Sequence, residues 1–489
     1  MQFASSILWQ MNRPGQPRTR ILVAGAGGAI GGAVCRDLAR DHDVVALVGS
    51  SLRAEVAAPD AAIEWRTCEA FSRRDVENAL RGCDYVMYLV HTRVATARLD
   101  QVACEDTDLL IADNVARASQ RLGVKQIIYL TGPLPSATDG ARRPVRANEV
   151  RDVLGHYSTP VTTLRAGLIV APGSGMLQLL GRVATRLPVV LVPQWAVTRR
   201  RPIAVTDVIR AMRYCLGNEA TLGQEFEIGG PVVLDFSELL TRMARILGGA
   251  PRIITVPVFP RRLYERYLRL LDRQAHPDLV RRVIEALCRD TNIDDNPVQR
   301  HVAAGALQPQ EFLEREIGLL DRTLPANPRE ASRDRYLAEI RARRSVRSIQ
   351  RAALPRGHDA AWLADHYFDW LARLIRPFMR CETDQHGTRR IVTRLIRLCL
   401  LELTLRQQDS SGDCVVYDIT DGWLARGQVG GWPRLEFRDV LGGRHTIIAI
   451  HDFTPQLPWF VYRATQATIH LGVMRAFQRH MARMAAPGR

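Results

Sequence analysis

The sequence predicts an α/β protein: a doubly wound parallel sheet, a small mostly helical lobe after it, and then a separate α+β unit. Three observations carry this reading. Short apolar runs alternate with helical stretches through the first third of the chain. The first of those runs enters a glycine-rich turn that opens directly into a helix. The last third changes to strand pairs joined by turn residues and closes on one long helix.

The strands of the first third are read at 20–25, 43–48, 63–66, 84–90, 125–131 and 161–166, and the helices between them at 30–40, 72–81, 106–122 and 145–154. Strands that alternate with helices at this spacing pair in parallel, because each crossover helix returns the chain to the same edge. From 173 to 324 helices predominate, at 175–186, 206–217, 236–247, 261–272, 277–290 and 309–320, with short strands at 224–228 and 253–256. This stretch reads as a substrate lobe. Residues 1–19 read as a flexible tail, 20–324 as one domain with its lobe, and 325–357 as a charged, proline-bounded linker containing a helix.

Residues 358–489 read as an independent unit, with helix near 362–379. Strands at 398–407 and 414–420 are joined by Ser410-Ser411-Gly412-Asp413, and strands at 434–440 and 445–452 through Leu441-Gly442-Gly443. The helix 458–484 then places Phe460, Ala464, Ala467, Leu471, Met474 and Phe477 on one stripe that reads as core. A curved antiparallel sheet closed by a long terminal helix is the helix-grip arrangement, which leaves a cavity. Tyr417, Asp421, Arg438, His445, His451 and Asp452 are its polar candidates, on the expectation that they face the helix. The His451-Asp452 pair, at a strand end, reads as solvent-facing.

The 489 residues are 46% hydrophobic, and no apolar run is long enough to span a bilayer. The nine cysteines make no Cys-x-x-Cys pair and no zinc spacing with histidine, so no metal is expected and a reducing cytoplasm fits best. The net charge of +16 is almost all arginine, Lys125 being the only lysine, and no nucleic-acid motif accompanies it. A solvated basic surface is the reading. The arginines of the last helix (Arg463, Arg475, Arg479, Arg483) leave peripheral membrane contact as a minor alternative, and the oligomeric state is not fixed.

The glycine turn carries the chemistry. Ile21-Leu22-Val23-Ala24 runs into Gly25-Ala26-Gly27-Gly28-Ala29-Ile30-Gly31. Gly25 permits a tight turn, Gly28 lets backbone N–H groups approach phosphate oxygens, and Gly31 lets the helix pack against the strand. A dinucleotide pyrophosphate is the ligand this geometry suits, in a Rossmann domain. After the second strand the chain reads Val48-Gly49-Ser50-Ser51-Leu52-Arg53, with no carboxylate for a ribose 2′-hydroxyl. Ser50, Ser51 and Arg53 suit a 2′-phosphate, so NADP is expected, with NAD as the alternative. Val90, His91 and Thr131, at the ends of later strands, complete the expected cofactor set.

With these residues in view the chain resembles the atypical short-chain dehydrogenase/reductases. The resemblance rests on the glycine spacing, on Gly82-Cys83-Asp84-Tyr85-Val86-Met87-Tyr88-Leu89-Val90-His91 and on Val124-Lys125-Gln126-Ile127-Ile128-Tyr129-Leu130-Thr131. It rests also on the run from Pro160 to Val170, followed by Gly173-Ser174. It looks most like a bacterial two-domain branch whose C-terminal domain is similar to the polyketide cyclase and lipid-transfer (SRPBCC-type) helix-grip superfamily. The resemblance implies an NADP-dependent oxidoreductase. Reductases of this kind use Tyr-x-x-x-Lys on the helix after the fifth strand, and here that helix reads Arg142-Arg143-Pro144-Val145-Arg146-Ala147-Asn148-Glu149. The proton relay is absent. His91, Glu149 or water are then candidate proton donors, with Thr131 orienting the substrate. Three readings stay open: a reductase acting on an apolar organic molecule; a non-redox cyclase, isomerase or dehydratase of a polyketide- or isoprenoid-like substrate; and an NADP redox sensor or binding protein.

Overall fold

The computed structural model describes residues 18–49, 62–90, 100–102, 104–133, 145–271, 277–287, 293–306, 311, 314–315, 317–318, 346–376, 378–425 and 432–486. By contact the described chain groups into two units. One draws on 1–90, 117–141 and 158–327, the other on 91–116, 142–157 and 328–489.

The first half of the chain runs β1 (Arg20–Ala24), α1 (Ala29–Leu38), β2 (Asp43–Val48), β3 (Ile63–Thr67), α2 (Arg73–Leu80), β4 (Tyr85–Tyr88), β5 (Asp100–Val102), α3 (Cys104–Leu122), β6 (Gln126–Thr131), α4 (Val145–Leu154) and β7 (Val161–Ala166). It continues through β8 (Ile169–Val170), α5 (Gly175–Arg186), β9 (Val189–Pro193), β10 (Ile203–Ala204), α6 (Val205–Cys215), β11 (Glu225–Ile228), α7 (Phe236–Ile246) and β12 (Arg252–Val256). Helices α8 (Arg261–Leu271), α9 (Pro277–Leu287) and α10 (Pro297–Ala304) follow.

In the first unit seven strands form one parallel sheet in the order β11-β7-β6-β4-β1-β2-β3. The chain starts at β1, winds out to β3, then returns to β4 and winds the other way, which is the doubly wound Rossmann topology. Central strands β6 and β7 are buried at every residue, as parallel strands covered on both faces must be. One face packs Ile21, Val23, Met87, Ile128 and Leu130 against Val34 and Leu38 of α1 and Val208 and Met212 of α6. The lobe has its own core, where Leu177, Leu180, Leu239, Leu240, Met243 and Tyr264 meet. Its helix α7 starts on a capping box, in which Asp235 and Glu238 satisfy each other's backbone N–H groups.

The remainder of the second unit runs β13 (Val346–Ala353), α11 (Ala360–Ile375), β14 (Met379–Thr383), β15 (Arg389–Thr393), β16 (Cys399–Leu405), β17 (Cys414–Asp421), β18 (Arg434–Val440), β19 (His445–Phe453), α12 (Trp459–Ala464) and α13 (Gln466–Ala485). Its sheet is ordered β14-β15-β16-β17-β18-β19-β13-β5, antiparallel throughout except where β13 runs parallel to β5. Leu435 and Phe437 face a core with Tyr367 and Phe368 of α11 and Met474, Phe477 and Met481 of α13. The pleat sends Arg434, Glu436 and Arg438, one residue out of step, to the other face.

Three elements differ from expectation. Part of the stretch read as a linker is strand β13, which pairs with β19 along its length. Its arginines suggested solvent, yet Arg347 is buried and Arg351 is ion-paired. The hairpin β14–β15 was not anticipated; Asp384 closes it by accepting from the N–H groups of His386 and Thr388 at 2.9 Å each, with Gly387 at φ +80°. The terminal helix is two, broken at Thr465, whose φ −114° and ψ −82° leave the helical region. The core stripe is otherwise as read for Ala467, Met474 and Phe477. No helix among the described residues is long and apolar enough to cross a membrane.

Candidate dinucleotide site

Strand β1 ends at Ala24 and the chain turns at once. Gly25 sits at φ +96°, and a Cβ there would stand 2.8 Å from the Leu89 carbonyl oxygen. The turn closes where the Gly28 N–H donates to the Gly25 carbonyl at 3.1 Å. Gly28 is the N-cap of α1, and no side chain caps that end and no acid lies in the first turn. Ala29 and Ile30 therefore open a helix whose positive end has no built-in anion. Gly31 packs so closely that a Cβ would overlap the Gly25 carbonyl oxygen and the Ala26 Cα. Gly27 completes a cradle made of backbone alone, which is the donor set a pyrophosphate requires.

Ala24, Tyr88 and Tyr129 are in register on β1, β4 and β6. Gly25, Val90 and Thr131 therefore stand at the same carboxyl edge of three adjacent strands, where open α/β sheets bind ligands. Thr131 is 4% exposed and accepts a hydrogen bond from the Tyr129 hydroxyl at 3.1 Å. Tyr88 meets Tyr129 edge-on, ring centroids 5.7 Å apart. Neither tyrosine was singled out from the sequence, although position 129 lies two residues before Thr131 on one strand and so shares its face. Ser50, Ser51, Arg53 and His91 lie outside the described residues.

Two other residues have duties of their own. Glu149, on α4 in the second unit, is held by Arg351, whose Nη1 donates to Oε1 at 2.7 Å and Nη2 to Oε2 at 3.1 Å. Arg351 Nε also donates to Asp106 at 2.8 Å. Lys125 donates to Asp84 at 2.7 Å, and that bond raises the lysine above its usual pKa. Both lie at the amino edge of β4 and β6, the far edge from the glycine turn.

In the second unit Tyr417 does face the helices, in ring contact with Phe368, but Arg438, His445 and His451 do not. Their register partners on β18 and β19 place them on the opposite face, because strand parity fixes it. Arg438 donates to Asp113 at 2.9 Å and Asn114 at 2.5 Å and pairs with Glu436. His451, expected in solvent, is 1% exposed, and burial holds its imidazole below the usual range. Burial opposes the charge on Glu436, yet Arg438, His451 and Arg434 keep its carboxyl below the ordinary carboxylate range. Asp421 is exposed at the end of β17, and Asp452 turns at φ +51° near the end of β19. The groups facing the long helix are instead Ser348, 3.1 Å from His470 Nε2, and Gln350, paired with Gln478.

Residues 25–165 match the family described as NAD(P)H-binding, and the parallel sheet that this segment contributes to has the Rossmann strand order. The chain is 28% identical over 146 residues to the auxiliary protein GraX of Staphylococcus aureus, covering 30% of this chain and 43% of that one. Among solved structures, a nucleoside-diphosphate-sugar epimerase of S. aureus aligns at 17% identity and TM-score 0.46, over 60% of this chain and 99% of that one. The dTDP-glucose 4,6-dehydratase DesIV of Streptomyces venezuelae aligns at 15% and 0.47, over 62% and 96%. Seven described cysteines are free thiols, and no group of three metal-binding side chains occurs among the described residues.

Proposed function

We propose that this protein is an NADP(H)-binding reductase of the atypical short-chain type, acting on an apolar organic molecule. One observation carries the reading: the backbone cradle at Gly25–Gly31 and the buried hydroxyl of Thr131 share one edge of three adjacent strands. Gly25, Gly27, Gly28, Ala29, Ile30 and Gly31 would hold the pyrophosphate, and Ser50, Ser51 and Arg53 the 2′-phosphate. Val90 and His91 would flank the nicotinamide end. The dinucleotide supplies the hydride. Thr131 accepts from Tyr129, which leaves its own hydrogen free to donate to a substrate carbonyl and orient it. Of the candidate proton donors, Glu149 is the least suited, because Arg351 engages its carboxylate at both oxygens, which leaves His91 and water. The order strand, helix, six antiparallel strands and a terminal helix pair broken at Thr465 supports a helix-grip reading of the second unit.

The test is consumption of NADPH with a panel of apolar ketones, aldehydes and enones. Product formed without NADPH loss overturns the reductase reading. Arg53→Ala should weaken NADP much more than NAD, and equal losses would remove Arg53 from the 2′-phosphate. A second reading, a redox-sensing binding protein, is favoured by the missing Tyr-x-x-x-Lys pair, and a curated protein similar to part of this chain carries the name of an auxiliary protein. A sensor binds NADP and NADPH with clearly different affinities and turns nothing over.

A further inference from the structure

One end of the second unit's sheet is apolar where water is expected. Strands β14 and β16 start there, and β15 and β17 finish there. The turn between β15 and β16 is Arg394-Leu395-Ile396-Arg397, closed by the Thr393 N–H donating to the Leu398 carbonyl at 3.0 Å, with Arg397 at φ +53°. A turn tip normally carries Gly, Asn, Asp or Ser. Here Leu395 is 95% exposed and Ile396 70%. Phe378, 76% exposed, sits beside them, its carbonyl accepting from the Arg394 N–H at 3.0 Å. Trp423, 49% exposed, hydrogen-bonds β16 through Cys399, and Leu374, 48% exposed, ends the helix that leads into β14.

The charge around these side chains is mostly positive. Neither 373–381 nor 389–401 contains an acidic residue. Arg373, Arg376, Arg394 and Arg397 are exposed and form no ion pair among the described residues. Arg389 and Arg390, further from the tip, are paired with Asp365 and Glu402. Two exposed acids, Asp369 one turn before Arg373 on α11 and Asp421 at the end of β17, are set against these four guanidinium groups.

We propose that this end of the sheet docks on an anionic lipid bilayer. Leu395, Ile396, Phe378 and Trp423 enter the interfacial region, and Arg373, Arg376, Arg394 and Arg397 engage lipid phosphates. Aliphatic and aromatic tips ringed by cations are what such an interface binds, the first by burial and the second by attraction to the surface potential. Guanidinium suits phosphate because it donates two parallel hydrogen bonds. A second copy is disfavoured, since self-docking would set arginine against arginine. The patch lies on a sheet end and not on the terminal helix whose arginines first suggested membrane contact.

Co-sedimentation of the full chain with vesicles tests this, phosphatidylcholine mixed with phosphatidylserine against phosphatidylcholine alone. Binding is expected only to the mixed vesicles and should weaken with added salt. Each arginine exchanged in Arg373→Gln, Arg376→Gln and Arg394→Gln should cost about fivefold in partitioning. The double variant L395S/I396S should abolish sedimentation while its circular dichroism stays that of the parent, because both side chains are solvated. No binding to mixed vesicles overturns the proposal, as does binding that the double variant retains. Concentration-dependent dimerisation that L395S/I396S removes, with no vesicle binding, overturns it in favour of self-association.

Discussion

At the glycine turn, the helix stands so close to the strand end that position 31 has room for a hydrogen atom and no more. A methyl group at position 31 would overlap the backbone of Gly25 and Ala26, so Gly31→Ala should push α1 off the turn. Titration with NADPH should then show at least tenfold weaker binding, and unchanged affinity would show that the cradle does not hold the pyrophosphate. Arg438 is the counterpart in the second unit. Its guanidinium serves Asp113, Asn114 and Glu436, all buried. Removing one partner of such a cluster leaves uncompensated charge in the interior, so Arg438→Ala should cost about 3–5 kcal/mol in chemical denaturation. His470 gives a pH signature. Burial pushes its imidazole down to about 4 from an ordinary 6.5. The unfolded chain takes up that proton first as pH falls, so this group's share of stability is full above pH 6.5 and is lost progressively toward pH 4. His470→Gln should flatten the melting-temperature profile across that window, and an unchanged slope would assign the acid lability elsewhere.

Asp439 acts in the opposite sense and ties two elements together. It closes the join between β18 and α11 by accepting from the Ala360 N–H at 2.9 Å and from Thr446 at 2.8 Å. Burial raises its pKa to about 6 from 3.8, so the fold prefers it protonated and its share of stability is lost as pH rises from about 4 to about 6. Asp439→Asn keeps the shape without the charge. Its stability relative to the parent should rise through that interval, and a pH-independent difference would contradict this. At the same scale it is clear why some elements were legible in the sequence. β1, β4, β6 and β7 are uninterrupted apolar runs with turn residues at their ends, and the glycine cradle is written in three residues. β13 was not legible because Arg347 and Arg351 break its apolar pattern, and the acidic partners of Arg351 come from distant sequence. The hydroxyl pair of Tyr129 and Thr131 required knowing that the strand was buried on both faces. The face occupied by Arg438 and His451 required the register of β18 with β19, which a one-residue shift would reverse.

Across the whole chain, neither unit is one continuous stretch. Asp106, Glu149 and Asp113 belong by contact with arginines 245, 202 and 325 residues later in the chain. Ending the chain at residue 327 would strip these carboxylates of Arg351 and Arg438. The shortened protein should melt lower and aggregate more than the full chain in matched thermal scans, and an unchanged melting temperature would show that the first unit stands alone. The pairing of β5 with β13 bears on how the protein is made. At roughly 5–20 residues per second, β13 leaves the ribosome on the order of 10–40 s after α4. During that interval Glu149 of α4 waits without Arg351, which engages both of its oxygens in the finished protein. Nascent chains stalled before residue 346 should therefore be cut at α4 by added protease faster than chains synthesised past β19, and equal cutting would show that α4 is held without β13.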